Sequence, residues 1–186
     1  MYVEDVGPHL PETGQYNTGS GTTTPPKRTY TKTYAASWSG SYAGRDAYNS
    51  YYGNKCLQGY YSSTNGLQAI LIGFPAGLAT DLSGAVIQKA EVYLYFDHWY
   101  YNSGGKAVVK AHKHASRPST FSSDSEARTV SRGKNVGKWV DISAVFDSTS
   151  WRGIALDPNN SGRTYYGRVQ GVGQTYPPKL RVTYTK

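Results

Sequence analysis

The sequence predicts an all-β protein: a jelly-roll-like antiparallel β-sandwich of about eight strands, carrying an extended N-terminal arm. Three observations predict it. The composition is strand-forming and turn-rich, with 18 Tyr, 4 Trp and 21 Gly against one Met in 186 residues, a mixture suited to pleated, half-buried surfaces joined by tight turns. Several short segments alternate apolar and polar residues. No stretch repeats apolar residues at helical spacing over three turns, and no internal repeat suggests a solenoid or propeller.

The arm comes first. Residues 1–27 contain four Pro, several Gly and Thr, and no period of two, the signature of an extended linker. A free tail of this composition is expected to be mobile, and order is expected only where it lies along its own domain or a neighbouring subunit. The sandwich domain is expected over 28–186.

From Arg28 the pattern changes. Tyr30, Lys32 and Tyr34 alternate with Thr29, Thr31 and Thr33, and the alternation runs on to Trp38, which predicts one amphipathic strand. Residues 44–66 read as tyrosine-rich loops around a short strand near 55–60, closed by an Asn65-Gly66 turn. The strongest signals follow. Ile70, Ile72 and Phe74 share one face, as do Val92, Leu94 and Phe96, with Tyr93 and Tyr95 opposite. Pairing of these two strands is expected at the centre of the core, with one short helical turn between them.

After the loop 97–105, residues 106–115 form a further strand. Residues 117–137 are a polar excursion with a short strand at 127–130. Val140 and Ile142 point one way from 138–146, and Ile154 and Leu156 point inward from 151–158. Residues 164–171 and 177–186 supply the last two strands, with Leu180, Val182 and Tyr184 set against Arg181, Thr183 and Thr185.

Charge and cysteine usage narrow the partners. A net charge of +8 and a pI near 9.4 suit an anionic partner. The cations are spread, however, from Lys27, Arg28 and Lys32 to Lys106, Lys110, Lys113, Arg117, Arg128, Arg132, Lys134 and Lys138. Nucleic acid recognition wants a denser stripe, so nucleic acid is not an expected partner. Cys56 is the single cysteine, which excludes an internal disulfide. The N-terminus has no basic and apolar leader pattern, and no long apolar run occurs, so neither export nor membrane insertion is expected.

The order of motifs resembles the DNRLRE-type jelly-roll modules of bacterial surface proteins and phage virion (tail) proteins. The resemblance covers about residues 29–186 and rests on these segments: Leu57-Gln58-Gly59, Ile70-Leu71-Ile72-Gly73-Phe74, Val86 to Tyr95, Trp139-Val140-Asp141-Ile142-Ser143, Gly153-Ile154-Ala155-Leu156 and Pro178 to Tyr184. The chain departs from the family in the polar loop between Arg117 and Lys134, which lacks a tryptophan, and in its tyrosine-rich N-terminal half. The resemblance implies a non-catalytic module with no cofactor.

Candidate chemistry is sparse. His112 and His114 alternate along one strand, so both rings can face one side about 6–7 Å apart. Two such rings are weak metal candidates, since a metal site needs further ligands, which Asp97 and His98 of the preceding strand would supply if register brought them close; exposed strand histidines are the simpler reading. Asp124 and Glu126 lie close in a loop, and Asp141, Asp147 and Asp157 sit at strand ends, but glycoside hydrolysis needs two carboxyls held apart in a cleft. Cys56 has no neighbouring histidine, and no glycine-rich loop precedes a helix. The informative residues are aromatic. Tyr51, Tyr52, Tyr60, Tyr61, Trp99, Tyr100 and Tyr101 fall in or beside polar loops, as ligand or interface residues do, and the alternative is that they cap the core.

These readings converge on a binding or assembly protein rather than an enzyme. The leading expectation is a phage virion structural protein, most plainly a minor tail or tail-tip subunit that contributes to host-surface attachment. It would be assembled in the host cytoplasm, homo-oligomeric, joined to other virion proteins through the arm, and a host cell-wall glycan would be its further ligand. A capsid-decoration or head-fibre protein and a stand-alone carbohydrate-binding module are the alternatives.

Overall fold

The computed structural model describes residues 26–186. The arm expected at 1–27 therefore lies outside the described residues apart from its last two. The described chain is all-β, with strands β1 (Thr29–Ala35), β2 (Trp38–Ala43), β3 (Ala47–Asn49), β4 (Lys55–Tyr60), β5 (Leu67–Gly73), β6 (Val86–Trp99), β7 (Gly105–His112), β8 (Arg128–Arg132), β9 (Val136–Asp141), β10 (Gly153–Leu156), β11 (Gly167–Gln170) and β12 (Lys179–Thr185). One short helix, α1 (Ala76–Leu82), links β5 to β6, and single 3-10 turns occupy Ser50–Tyr52 and Arg163–Tyr165.

All ladders are antiparallel and form two layers that curl into each other. One layer holds β1, β12, β6 and β9, with β11 and β4 continuing beside the end of β6. The other holds β3, β2, β5, β10, β7 and β8. β4 turns the corner, pairing with β11 through Lys55–Gln58 and with β5 at Gly59 and Tyr60. Gly59 makes that corner at φ 90, and a side chain there would collide with the backbone of Tyr165 and Tyr166.

The main core lies between the layers. Ile70, Ile72, Ile154, Leu156, Ala107, Val109 and Ala111 from one side meet Ala90, Val92, Leu94, Phe96, Val169, Leu180, Val182 and Tyr184 from the other, and Leu78 and Leu82 of α1 close one end. Each fully buried Leu or Ile contributes about 1.5–3 kcal/mol relative to exposure. A second, small core sits outside the β5 layer, where Tyr42, Leu71 and Ala155 are covered by Trp38, Tyr48 and Phe121. The polar excursion thus has a packing task. Its strap is held by Tyr42 Oη donating to Pro118 O (2.9 Å), by Phe121 N donating to Asp46 O (2.7 Å) and by Arg117 lying 4.4 Å over the Tyr48 ring.

The jelly-roll-like sandwich expected from the alternation is what the chain forms, with three corrections. The strand expected from Thr29 to Trp38 is two strands, because the chain crosses from one layer to the other at Ala36 and Ser37: β1 pairs with β12 and β2 with β5. That crossing and the short β3 add strands that the alternation does not mark, and the described residues form twelve against an expected count of about eight. The strands of Ile70 and Leu94 do not pair. They lie in opposite layers, so their apolar faces meet across the core rather than along a ladder.

One buried ion cluster fastens a turn to the sheet. Gly44 and Arg45 turn β2 into β3, both at positive φ (64 and 59), a costly conformation for arginine. The guanidinium is retained there by Asp157, whose fully buried carboxylate accepts from Arg45 Nε (2.6 Å) and Nη2 (2.8 Å) and from Lys110 Nζ (3.1 Å). Burial pushes the Asp157 carboxyl up, but the Arg45 and Lys110 hydrogen bonds outweigh it, and its pKa lies below the ordinary value. A carboxyl depressed by folding stabilises the native state above its unfolded pKa, and that contribution is lost as pH falls through the folded value. Asp157→Ala should cost about 3 kcal/mol at pH 7 by stranding two cations. Asp157→Asn should also flatten the acid limb of the stability curve below about pH 4; an unchanged limb in chemical denaturation would contradict the assignment.

Candidate functional site

The end of the sandwich where β4, β11 and β6 lie side by side carries an open cleft of about 670 Å³. Its floor is a cross-strand row: Leu57 of β4 faces Arg168 of β11, and Arg168 faces His98 of β6. Its walls are tyrosines, Tyr51 and Tyr52 from the 3-10 turn after β3, Tyr61 from the end of β4, Tyr100 from the end of β6 and Tyr166 from the approach to β11, with Lys55 at the rim.

His98 reaches the floor because β6 is irregular. Strict alternation after Leu94 and Phe96 would turn His98 inward and Trp99 outward. The ladder instead shifts at Asp97, since Arg168 opposes His98 while Val169 opposes Phe96. This bulge reverses the sides. Trp99 turns into the core at 1% exposure, stacks on Phe96 with centroids 4.2 Å apart and donates from Nε1 to Gly133 O (3.3 Å). Its expected place among the surface aromatics is therefore corrected: it is a core residue, pressed against Gly105 and Gly167, where no side chain would fit.

The walls are pinned. Asn49 Oδ1 accepts from Tyr51 N (3.1 Å) and caps the first 3-10 turn. Arg163 Nη1 donates to Tyr60 O (3.1 Å) and to Tyr61 O, while its guanidinium lies 5.3 Å from the Tyr100 ring, so one side chain ties three segments together. Tyr61 stacks on Tyr166 at 5.1 Å and 27°, and the His98 ring meets Tyr166 edge-on at 5.8 Å. Arg168 Nε donates to Asp97 Oδ1 (2.8 Å), which leaves the outer part of its guanidinium toward the cleft.

The site is neutral in its rings and positive in its charged groups. Burial, then the charges of Arg168 and Lys134, pull the His98 pKa down. Burial raises the phenols of Tyr52 and Tyr166, the latter further through Tyr52 and Tyr61. No carboxylate lines the cleft among the described residues. Such a site can stack flat ligand faces, donate hydrogen bonds and attract negative charge.

Of the aromatic residues singled out in the sequence, Tyr51, Tyr52, Tyr61 and Tyr100 meet in the cleft, Tyr51 at 87% exposure. Tyr60 lies beneath Arg163, and Tyr101 packs edge-on against Tyr100 at 5.0 Å but faces a neighbouring hollow. Sequence reasoning missed Tyr166, Arg168, Lys55 and Leu57 as cleft residues, and offered His98 only as a neighbour of the pair His112 and His114. The Tyr165-Tyr166 pair before a strand was the available signal; the row across β4, β11 and β6 is set by register alone.

The other candidates have structural occupations. His112 and His114 do lie together, rings 5.2 Å apart. His112 is buried with both nitrogens engaged: Nδ1 accepts from His114 N (3.1 Å), so the proton is on Nε2, which donates to Ile72 O (3.0 Å). His114 Nε2 is satisfied by Ser122 (2.9 Å to Oγ). No cluster of three metal-ligating side chains occurs among the described residues. Asp124 accepts from Glu126 N, Asp141 from Ser143 N and Asp147 from Trp151 Nε1. Cys56 is buried, and desolvation pushes its thiol up to about 12. No helix among the described residues is long and apolar enough to cross a membrane.

No protein-family model matches this chain, and no curated protein matches it significantly.

His112 makes a titration prediction. Burial, reinforced by His114, lowers its pKa from 6.5 to about 3 against the opposing Ile72 hydrogen bond. Protonation then favours the unfolded chain, so the contribution of His112 is intact above the unfolded value and declines as pH falls toward the folded one. Between pH 6 and 4.5, unfolding free energy should drop by about 2 kcal/mol from this group. His112→Gln, which keeps one donor and one acceptor, should remove most of that slope; an equal slope in the variant would refute it.

Proposed function

We propose that this chain is a non-catalytic attachment subunit of a phage particle, of the minor tail or tail-tip class, which holds host-surface glycan in the aromatic cleft. The observation that carries the reading is the cleft itself: four separate segments bring tyrosine rings around a floor of Leu57, His98 and Arg168. Sugar rings have apolar faces bordered by hydroxyls. Tyrosine matches both parts, with a flat face for stacking and a phenol for hydrogen bonding.

Binding without cleavage is supported by the chemistry of the lining. Glycoside hydrolysis uses two carboxyl groups across the scissile bond. The acidic side chain that touches the floor, Asp97, is the partner of Arg168. The virion setting rests on the motif order that resembles DNRLRE-type modules, whose segments fall on β4, β5, β6, β9, β10 and β12 in turn.

Two measurements test the reading. In calorimetry of the full chain against host cell-wall polysaccharide, Tyr61→Ala with Tyr100→Ala should weaken binding about tenfold or more, each ring contributing about 1 kcal/mol. Thermal unfolding should move little, because both rings are about half exposed. Binding unaffected by the pair would remove the cleft from the function. For the particle, deletion of 1–27 should leave a folded domain, since Arg28 still pairs with Lys186 through two backbone hydrogen bonds (2.9 and 3.0 Å), but one that no longer enters virions. Normal incorporation would dismiss the arm as the assembly element.

A further inference from the structure

We propose that a second hollow, beside the aromatic cleft, is a subsite for a phosphate group, and that the ligand is therefore a phosphate-bearing glycopolymer. The glycan half of this proposal rests on the reading of the cleft given above; the phosphate half stands on its own geometry.

The hollow, about 430 Å³, opens where the loop before β7 meets the end of β8. At its base is Arg132, only 4% exposed. Its Nη2 donates to Lys138 O (3.0 Å) and to Leu94 O. Its Nε is buried with no hydrogen-bond partner among the described residues, and no carboxylate pairs with it there. A guanidinium buried without a counter-charge is costly, and natural cores avoid it unless the group has another use.

The surroundings reinforce the same charge. Lys106 and Lys138 line the hollow, both exposed, and neither belongs to any of the seven ion pairs among the described residues. Ser103, Ser131 and Thr164 complete the lining, in which no acidic residue occurs among the described residues. Elsewhere on the domain Lys32, Lys89 and Arg181 face the carboxylates of Asp81 and Glu91. Three cationic and three hydroxyl-bearing residues, with no carboxylate among the described residues, suit a phosphodiester, which offers charge and several acceptor oxygens at one point.

The two hollows are neighbours. Tyr100 lines the cleft and Tyr101 the hollow; Tyr166 lines the cleft and Thr164 the hollow. Gln58 fixes the partition, donating from Nε2 to Lys106 O (2.8 Å) and Tyr165 O (2.9 Å). A polymer that alternates sugar and phosphate can place a ring on the tyrosines and its adjoining phosphate beside Arg132.

The test titrates the full chain and a Lys106→Ala, Lys138→Ala variant, in which both changes are at exposed positions. The probes are inorganic phosphate, a glycosylated poly(glycerol phosphate), a neutral wall polysaccharide and a single-stranded oligonucleotide. Phosphate should move the amide resonances of Gly104 and Gly105. The phosphate polymer should bind with an affinity that falls as salt screens the charges, and the variant should lose about tenfold or more for it while binding the neutral polysaccharide unchanged. Silent amides with phosphate, or a variant that binds the phosphate polymer like the parent, would overturn the subsite. An oligonucleotide bound as tightly as the polymer would overturn the ligand class in favour of nucleic acid. Phosphate shifts without binding of either glycan would sink the proposed function and leave the subsite standing.

Discussion

A single extra residue in the longest strand decides which way the end of the molecule faces. From Ala90 to Phe96, β6 sends every second side chain into the core. Asp97 then interrupts the ladder with β11, and the two residues beyond it exchange sides. Trp99 closes the core by stacking on Phe96, and His98 takes a place in the cleft floor. The bulged residue is not idle, because its carboxylate holds Arg168 beside His98. Core closure and cleft construction are thus one event. A chain with regular alternation here would bury an imidazole, expose an indole and lose the floor.

The same bulge marks the boundary of what the sequence conveys. Leu180, Val182 and Tyr184, or Ile154 and Leu156, announce their inward faces by alternation, and the structure buries all five. That information is local. The partners of a strand are not: β5 and β6 read as the two strongest strands, yet they lie in different layers because β5 takes β2 and β10 as neighbours while β6 takes β12 and β9. Alternation also carries on unbroken through Ala36 in the sequence, although the chain there changes layers. The cleft divides in the same way. Tyr51, Tyr52, Tyr61 and Tyr100 were legible because aromatic rings in polar loops are unusual. Arg168, His98 and Leu57 were not, because only ladder register brings them into one row.

Three buried polar groups separate structural necessity from function. Asp157 is matched by two cations through short hydrogen bonds, and His112 has a partner on each nitrogen. Each is explained by the fold that surrounds it: one pins a strained turn, the other joins β7 to the end of β5. Arg132 has no such completeness, with an unpaired Nε and no opposing charge among the described residues. Trp38 Nε1, Gln58 Oε1 and Gln68 Oε1 are also buried without partners among the described residues, but of the four only Arg132 carries a charge, and it lines an open hollow.

The way the cleft is held bears on how it can bind. Its floor belongs to paired strands, while its walls come from four connections that would be mobile alone. Arg163 links three of those connections, and the rings meet in pairs, Tyr61 on Tyr166 and Tyr51 on Tyr52. Ordering a free side chain at an interface costs about 0.5–1.5 kcal/mol. Rings already packed against one another have met most of that cost during folding. A ligand that lies against their open faces therefore gains stacking with little entropic loss, since the rings stay exposed enough to be reached from solvent.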